Sequence, residues 1–122
     1  MLSDKKLKAF VPTTKLDRAR SFYKDVIGLK FLSEDSYALE FDAGGTLLRV
    51  TIVRDLTPHP FTVLGWNVED IAAVIKQLNG KNVFCERYDF LQQDDLGVWV
   101  SPNGSKVAWF KDPDGNLLSL TE

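Results

Sequence analysis

The chain repeats itself. Leu16, Ala19 and Tyr23 recur as Ile71, Val74 and Leu78 at a constant offset of 55 residues, each set at helical spacing. Each half also closes with a strand-like run just after a turn ending in glycine, Gly45 in the first and Gly115 in the second. Whatever one half folds into, the other must repeat. Two helices of about ten residues cannot make a core alone, so each must pack on a sheet. The repeat therefore predicts an α+β domain spanning 1–122, built of two βαβββ modules that form a curved mixed sheet with a cavity. Module one occupies 6–56 and module two 61–122, with a Pro-stiffened linker at 57–60, Thr57-Pro58-His59-Pro60.

Local patterns place the elements. Residues 7–12 read as a strand, and Leu16, Ala19, Phe22, Tyr23, Val26 and Ile27 mark one face of a helix. Thr14 with Asp17 has the chemistry of a capping box, and Gly28 is a left-handed stop. Strands follow at Leu29–Leu32, Tyr37–Phe41 and Leu47–Val53, the last two joined by an Asp42-Ala43-Gly44-Gly45 turn. In the second half Phe61–Trp66 is a strand, and Ile71, Val74, Ile75 and Leu78 are a helix face. Asn67 or Asp70 caps that helix, and Gly80 or Asn82 ends it. Strands are expected at Val83–Arg87, Val107–Phe110 and Leu117–Leu120. The surplus of the second half, Leu91–Gly104, reads as a loop with a hairpin arm at Gly97–Val100, in the role of lid, arm or passive connection.

Composition narrows the function classes. A net charge of −2 supplies no positive field for phosphate counterions, so nucleic acid is not an expected partner. No run approaches the roughly 20 apolar residues of a membrane span, and the N-terminus lacks a signal-peptide core, so a cytoplasmic setting and no membrane partner are expected. The one cysteine, Cys85, excludes an internal disulfide and a Cys-rich zinc site. It falls in the expected Val83–Arg87 strand and reads as a small buried hydrophobe.

Lys15-Leu-Asp-Arg-Ala-Arg-Ser-Phe-Tyr-Lys-Asp-Val-Ile-Gly-Leu29 resembles the first helix of the vicinal oxygen chelate superfamily, which includes glyoxalase I, extradiol dioxygenases and bleomycin-resistance proteins. Val68-Glu-Asp-Ile71 resembles the opening of its second helix and Phe110-Lys-Asp-Pro-Asp-Gly-Asn-Leu-Leu-Ser119 its closing hairpin. The resemblance implies the duplicated fold, and in the enzymes a divalent metal held by His and Glu, one from each of four strands. Carried over strand by strand, those positions fall on Lys8, Arg49, Val63 and Ser119. Arginine stays cationic, lysine must lose a proton, valine has no donor and serine offers a neutral hydroxyl. The only histidine, His59, lies in the linker. No metal and no cofactor are therefore expected.

Strand parity gives the candidate ligand-binding residues. Lys8, Phe10, Arg49, Thr51, Gly65 and Ser119 alternate with apolar neighbours suited to helix packing, and Trp99 and Trp109 join them, with Tyr88 and Thr121 nearby. Aromatic walls with a few polar groups are the usual anatomy of a small-molecule site, and Lys8 and Arg49 favour an anion. The competing reading is a filled core with Arg49 reaching the rim. Function is thus expected to be metal-independent binding of a small, anionic or aromatic molecule, as in the drug-sequestering relatives. A lyase, isomerase or dioxygenase with a non-standard site is the alternative. The resemblance also implies a homodimer.

Overall fold

A computed structural model describes residues 1–122 and shows two successive units, Met1–Thr57 and Pro58–Glu122. In the first, strand β1 (Lys8–Thr13) leads into helix α1 (Leu16–Ser21), which widens into a π-helical turn over Phe22–Val26. The Ile27 N–H reaches back to the Phe22 carbonyl at 2.8 Å, five residues away, and the wider turn carries both Phe22 and Tyr23 inward. Gly28, with φ +82°, then reverses the chain, and the Leu29 N–H closes on the Tyr23 carbonyl. Strands β2 (Lys30–Glu34), β3 (Ala38–Ala43) and β4 (Thr46–Ile52) complete the unit.

The sheet order is β1-β4-β3-β2, with β1 parallel to β4 and the other pairs antiparallel. Val11, Leu39, Phe41, Leu48 and Val50 are buried on one side, where the Tyr23 ring lies 6.1 Å from that of Phe41. The opposite, open face carries Lys8 and Phe10 beside Leu47 and Arg49, with Glu40 registered against Arg49.

At the first helix the N-cap position falls on Lys15, one residue after Thr14. Lys15 makes no side-chain cap, and the Lys15 N–H donates to Thr13 Oγ1 at 3.0 Å. Asp17 is taken by Arg20, whose guanidinium also grips Glu34 on β2 through Nε and Nη2 at 2.8 and 2.6 Å.

The second unit repeats the plan with β5 (Thr62–Asn67), α2 (Ile71–Asn79), β6 (Trp99–Val100), β7 (Lys106–Lys111) and β8 (Leu117–Thr121), in the sheet order β5-β8-β7-β6. Asp70 is the N-cap of α2, its Oδ1 accepting from the Ala73 N–H at 3.1 Å. Asn82, at φ +62°, takes the left-handed exit, whereas Gly80 stays right-handed. Ile71, Ile75 and Leu78 are buried, as are Ala108, Phe110, Leu118 and Leu120 of the sheet. Hydrogen bonding thus gives each module its own four-stranded sheet.

The expected strand at Val83–Arg87 is absent, and the arm at Trp99–Val100 takes the edge of the sheet. Gln93 Nε2 donates to the carbonyls of Glu86 and Gly97, both at 2.9 Å, and its Oε1 accepts from the Tyr88 N–H at 2.8 Å. Of the expected strand's own backbone groups this side chain takes the Glu86 carbonyl, while the Glu86 N–H makes a ladder-like bond to the Trp109 carbonyl. Arg87 adds two bonds to the carbonyls of Asp94 and Asp95, so the surplus segment is stitched rather than loose. No helix is long and apolar enough to cross a membrane.

Candidate functional site

The two sheets each present one open face, and the expected site residues divide between them. On the first, β1 and β4 bring Lys8, Phe10, Arg49 and Thr51 together, because Phe10 registers with Arg49 and Pro12 with Thr51. Phe10 is 59% exposed, far more than a phenyl ring in a filled core. Lys8 Nζ stands 5.6 Å from the centre of that ring.

The same face holds a carboxylate that the sequence reading passed over. Glu40, on β3, accepts from Arg49 Nη1 at 2.9 Å and has Lys8 Nζ at 3.9 Å. Its signal was present in the sequence, since Glu40 alternates with the core residues Leu39 and Phe41. Each side chain of the Glu40–Arg49 pair is 24% exposed, so the pair sits in the half-screened zone where opposite charges still bind tightly. Arg49 therefore meets any incoming anion already engaged.

On the second sheet, Gly65 registers with Ser119 and Ser119 with Trp109, and Trp99 lies beside Trp109. Gly65 makes room for the serine: a Cβ at that position would stand 2.6 Å from Ser119 Oγ. The rings form a continuous shelf. Trp99 and Trp109 have centroids 6.0 Å apart, Tyr88 meets Trp109 edge-on at 5.6 Å, and Phe90 extends the row at 5.5 Å from Tyr88. Burial, then the nearby Glu86 charge, raise the Tyr88 phenol above its ordinary value. Val63 sits in a β-bulge between Thr62 and Leu64, outside the regular pairing with β8.

His59 is nearer to this face than its linker position implied. It lines a cleft of about 200 Å³ with Pro58, Glu86, Tyr88, Lys111 and Leu117. Glu86 and Lys111 pair across it at 3.2 Å.

Twin units, each a four-stranded mixed sheet with one helix segment and one open face, define a duplicated α+β class of fold. The chain belongs to the Glyoxalase/Bleomycin resistance protein/Dioxygenase superfamily, whose family model matches residues 7–120. No curated protein matches the sequence significantly. Among solved structures, a glyoxalase family protein from Enterococcus faecalis is similar at 24% identity, with all of both chains covered and a TM-score of 0.73. A lactoylglutathione lyase from Agrobacterium tumefaciens aligns at 19% identity over 98% of this chain and 93% of that one, with a TM-score of 0.74. A superfamily member from Sphaerobacter thermophilus gives 18% identity, coverage of 100% and 99%, and a TM-score of 0.75. At these identities the likeness is one of fold.

A metal fits poorly. The four carried-over positions hold an ammonium, a guanidinium, an isopropyl group and a hydroxyl, and nowhere do three His, Cys, Asp or Glu side chains converge. The carboxylates on the open faces, Glu40 and Glu86, each face a cation instead.

Proposed function

We propose that this protein binds a small organic molecule without the help of a metal ion, holding it against the open sheet faces. The observation that carries this reading is the pairing of a partly exposed aromatic shelf, Tyr88, Trp99 and Trp109, with strand positions whose side chains cannot chelate. Ring faces recognise flat apolar bodies, while the Ser119 hydroxyl and the Tyr88 phenol orient them. The ligand class is therefore a small aromatic molecule carrying a polar or anionic group. A lyase activity like that named for the Agrobacterium relative would need a free acid–base group beside the substrate, and Glu40, the most central carboxylate, is held by Arg49. The same reading takes the working form as a cytoplasmic homodimer, which sedimentation across a concentration series tests.

The decisive experiment is a thermal-shift and tryptophan-fluorescence screen of aromatic carboxylates with and without EDTA. A saturable rise in melting temperature that EDTA leaves unchanged, and that Trp109→Ala removes, is the expected result. Stoichiometric metal in protein purified without added metal, or loss of binding on chelation, overturns the reading.

A further inference from the structure

A second cleft lies in the first unit, on the open side of its sheet near the start of β1. Its volume is about 520 Å³, and Lys6, Leu7, Lys8, Leu32, Asp42 and Leu47 line it. That volume falls within the range of about 300–1,000 Å³ typical of ligand pockets. Its walls are aliphatic, in contrast to the aromatic shelf of the second unit.

Leu32 lines this cleft beside an irregularity in the sheet. The β2–β3 pairing passes from Phe31 opposite Phe41 to Ser33 opposite Glu40, which leaves Leu32 as the extra residue of a β-bulge. Phe31 registers with Phe41 of the core face, and the next residue, Leu32, falls on the open side. Leu32 is 47% exposed and Leu7 75% exposed, an arrangement that forfeits burial unless something covers them.

The charges at the rim are unequal. Lys6 stands outside the ion pairs of this unit. Lys8 touches Glu40 only at 3.9 Å, while Arg49 holds that carboxylate at 2.9 Å. The acid of the lining, Asp42, is committed to the hairpin, its Oδ1 accepting from the Gly45 N–H at 2.7 Å. Two loosely held ammoniums thus stand over three leucines.

We infer that this cleft binds an anionic amphiphile, a carboxylate or sulfate head on a short aliphatic body, with Lys6 and Lys8 on the head and Leu7, Leu32 and Leu47 on the body. The site stands independently of the aromatic shelf. The ammoniums give the head its sign preference, and the leucines give the body its share of the affinity through apolar burial.

Sodium octanoate, titrated into the full chain with the leucine methyl groups labelled for NMR, tests the proposal. Saturable shifts centred on Leu7, Leu32 and Leu47 are expected, with His59, the only histidine, as an unmoved reporter in the second unit. Lys6→Glu should weaken octanoate about fivefold, as expected for reversing one rim charge. Leu32→Asp should abolish binding, and its exposed position keeps the fold intact. Equal shifts from octanol or octyltrimethylammonium, a response only to phosphatidylglycerol vesicles, or no saturable shift at these leucines overturns the inference. The aromatic reading is scored separately, by tryptophan fluorescence with aromatic acids, so either can fail alone.

Discussion

Arg49 Nη1 donates to Glu40 Oε2 at 2.9 Å across two strands that register the two residues directly opposite one another. This cross-strand pair sets the electrostatics of the first sheet's open face, because it neutralises the side chain best placed to attract an anion.

Glu40→Ala removes the acceptor and leaves Arg49 and Lys8 without the carboxylate they share. Urea denaturation should show a loss of about 1–2 kcal/mol, between the values for exposed and fully buried pairs. A double-mutant cycle with Arg49→Ala should recover about 1 kcal/mol of coupling. Glu40→Gln keeps an acceptor and costs less, while making the face more positive and tightening any anion held there.

Gly97→Ala meets two obstacles at once. Gly97 has φ +96°, and a Cβ there would stand 2.7 Å from Cys85 Cβ, which cannot swing aside. Thermal melting should reveal a loss of at least about 2 kcal/mol, combining backbone strain with overpacking. Gly44→Ala is the control: at φ +63° with open space around it, it carries the conformational term alone, about 1 kcal/mol.

Burial pushes the Cys85 thiol up to about 11, with Arg87 opposing the shift and Asp94 and Glu86 adding to it. The folded state therefore holds this proton more tightly than the unfolded chain. The stability linked to it is complete below about pH 9 and is lost as pH rises toward about 11. Subtracting the pH–stability curve of Cys85→Ala from that of the native chain should isolate a decline in that window. Alkylation at neutral pH should be slow until denaturant is added.

Gln93→Ala strands three backbone groups, the carbonyls of Glu86 and Gly97 and the N–H of Tyr88. A loss of about 1–3 kcal/mol is expected, with faster amide exchange at Tyr88 and along the segment that Arg87 also pins. Gln93→Glu retains the acceptor for Tyr88 and loses both donors, so protection at Tyr88 should persist. Because this segment carries Tyr88, loosening it should also weaken any ligand held on the shelf.

The repeat in the sequence determined the architecture. Helical spacing from Ile71 to Leu78, alternation along Leu47–Val53 and glycine at the turns are local signals, and steric and burial preferences act on them locally. They predicted both modules and the two-faced strands. They also indicated that Lys8 and Phe10 share one face of β1 and that Arg49 and Thr51 share one face of β4, since parity is a property of a single strand.

Tertiary structure decided what those faces contain. Glu40 meets Arg49 only once β3 and β4 are in register, and that pairing lies outside either strand's own pattern. Val83–Arg87 has a strand's composition, yet it forms no strand, and the Gln93 amide holds the Glu86 carbonyl and the adjoining Tyr88 N–H. The bulge at Leu32 and the approach of His59 to Glu86 and Lys111 likewise depend on segments distant in sequence. Periodicity records which side of an element is apolar; hydrogen bonds and ion pairs between elements are settled by competition among partners that folding alone brings within reach.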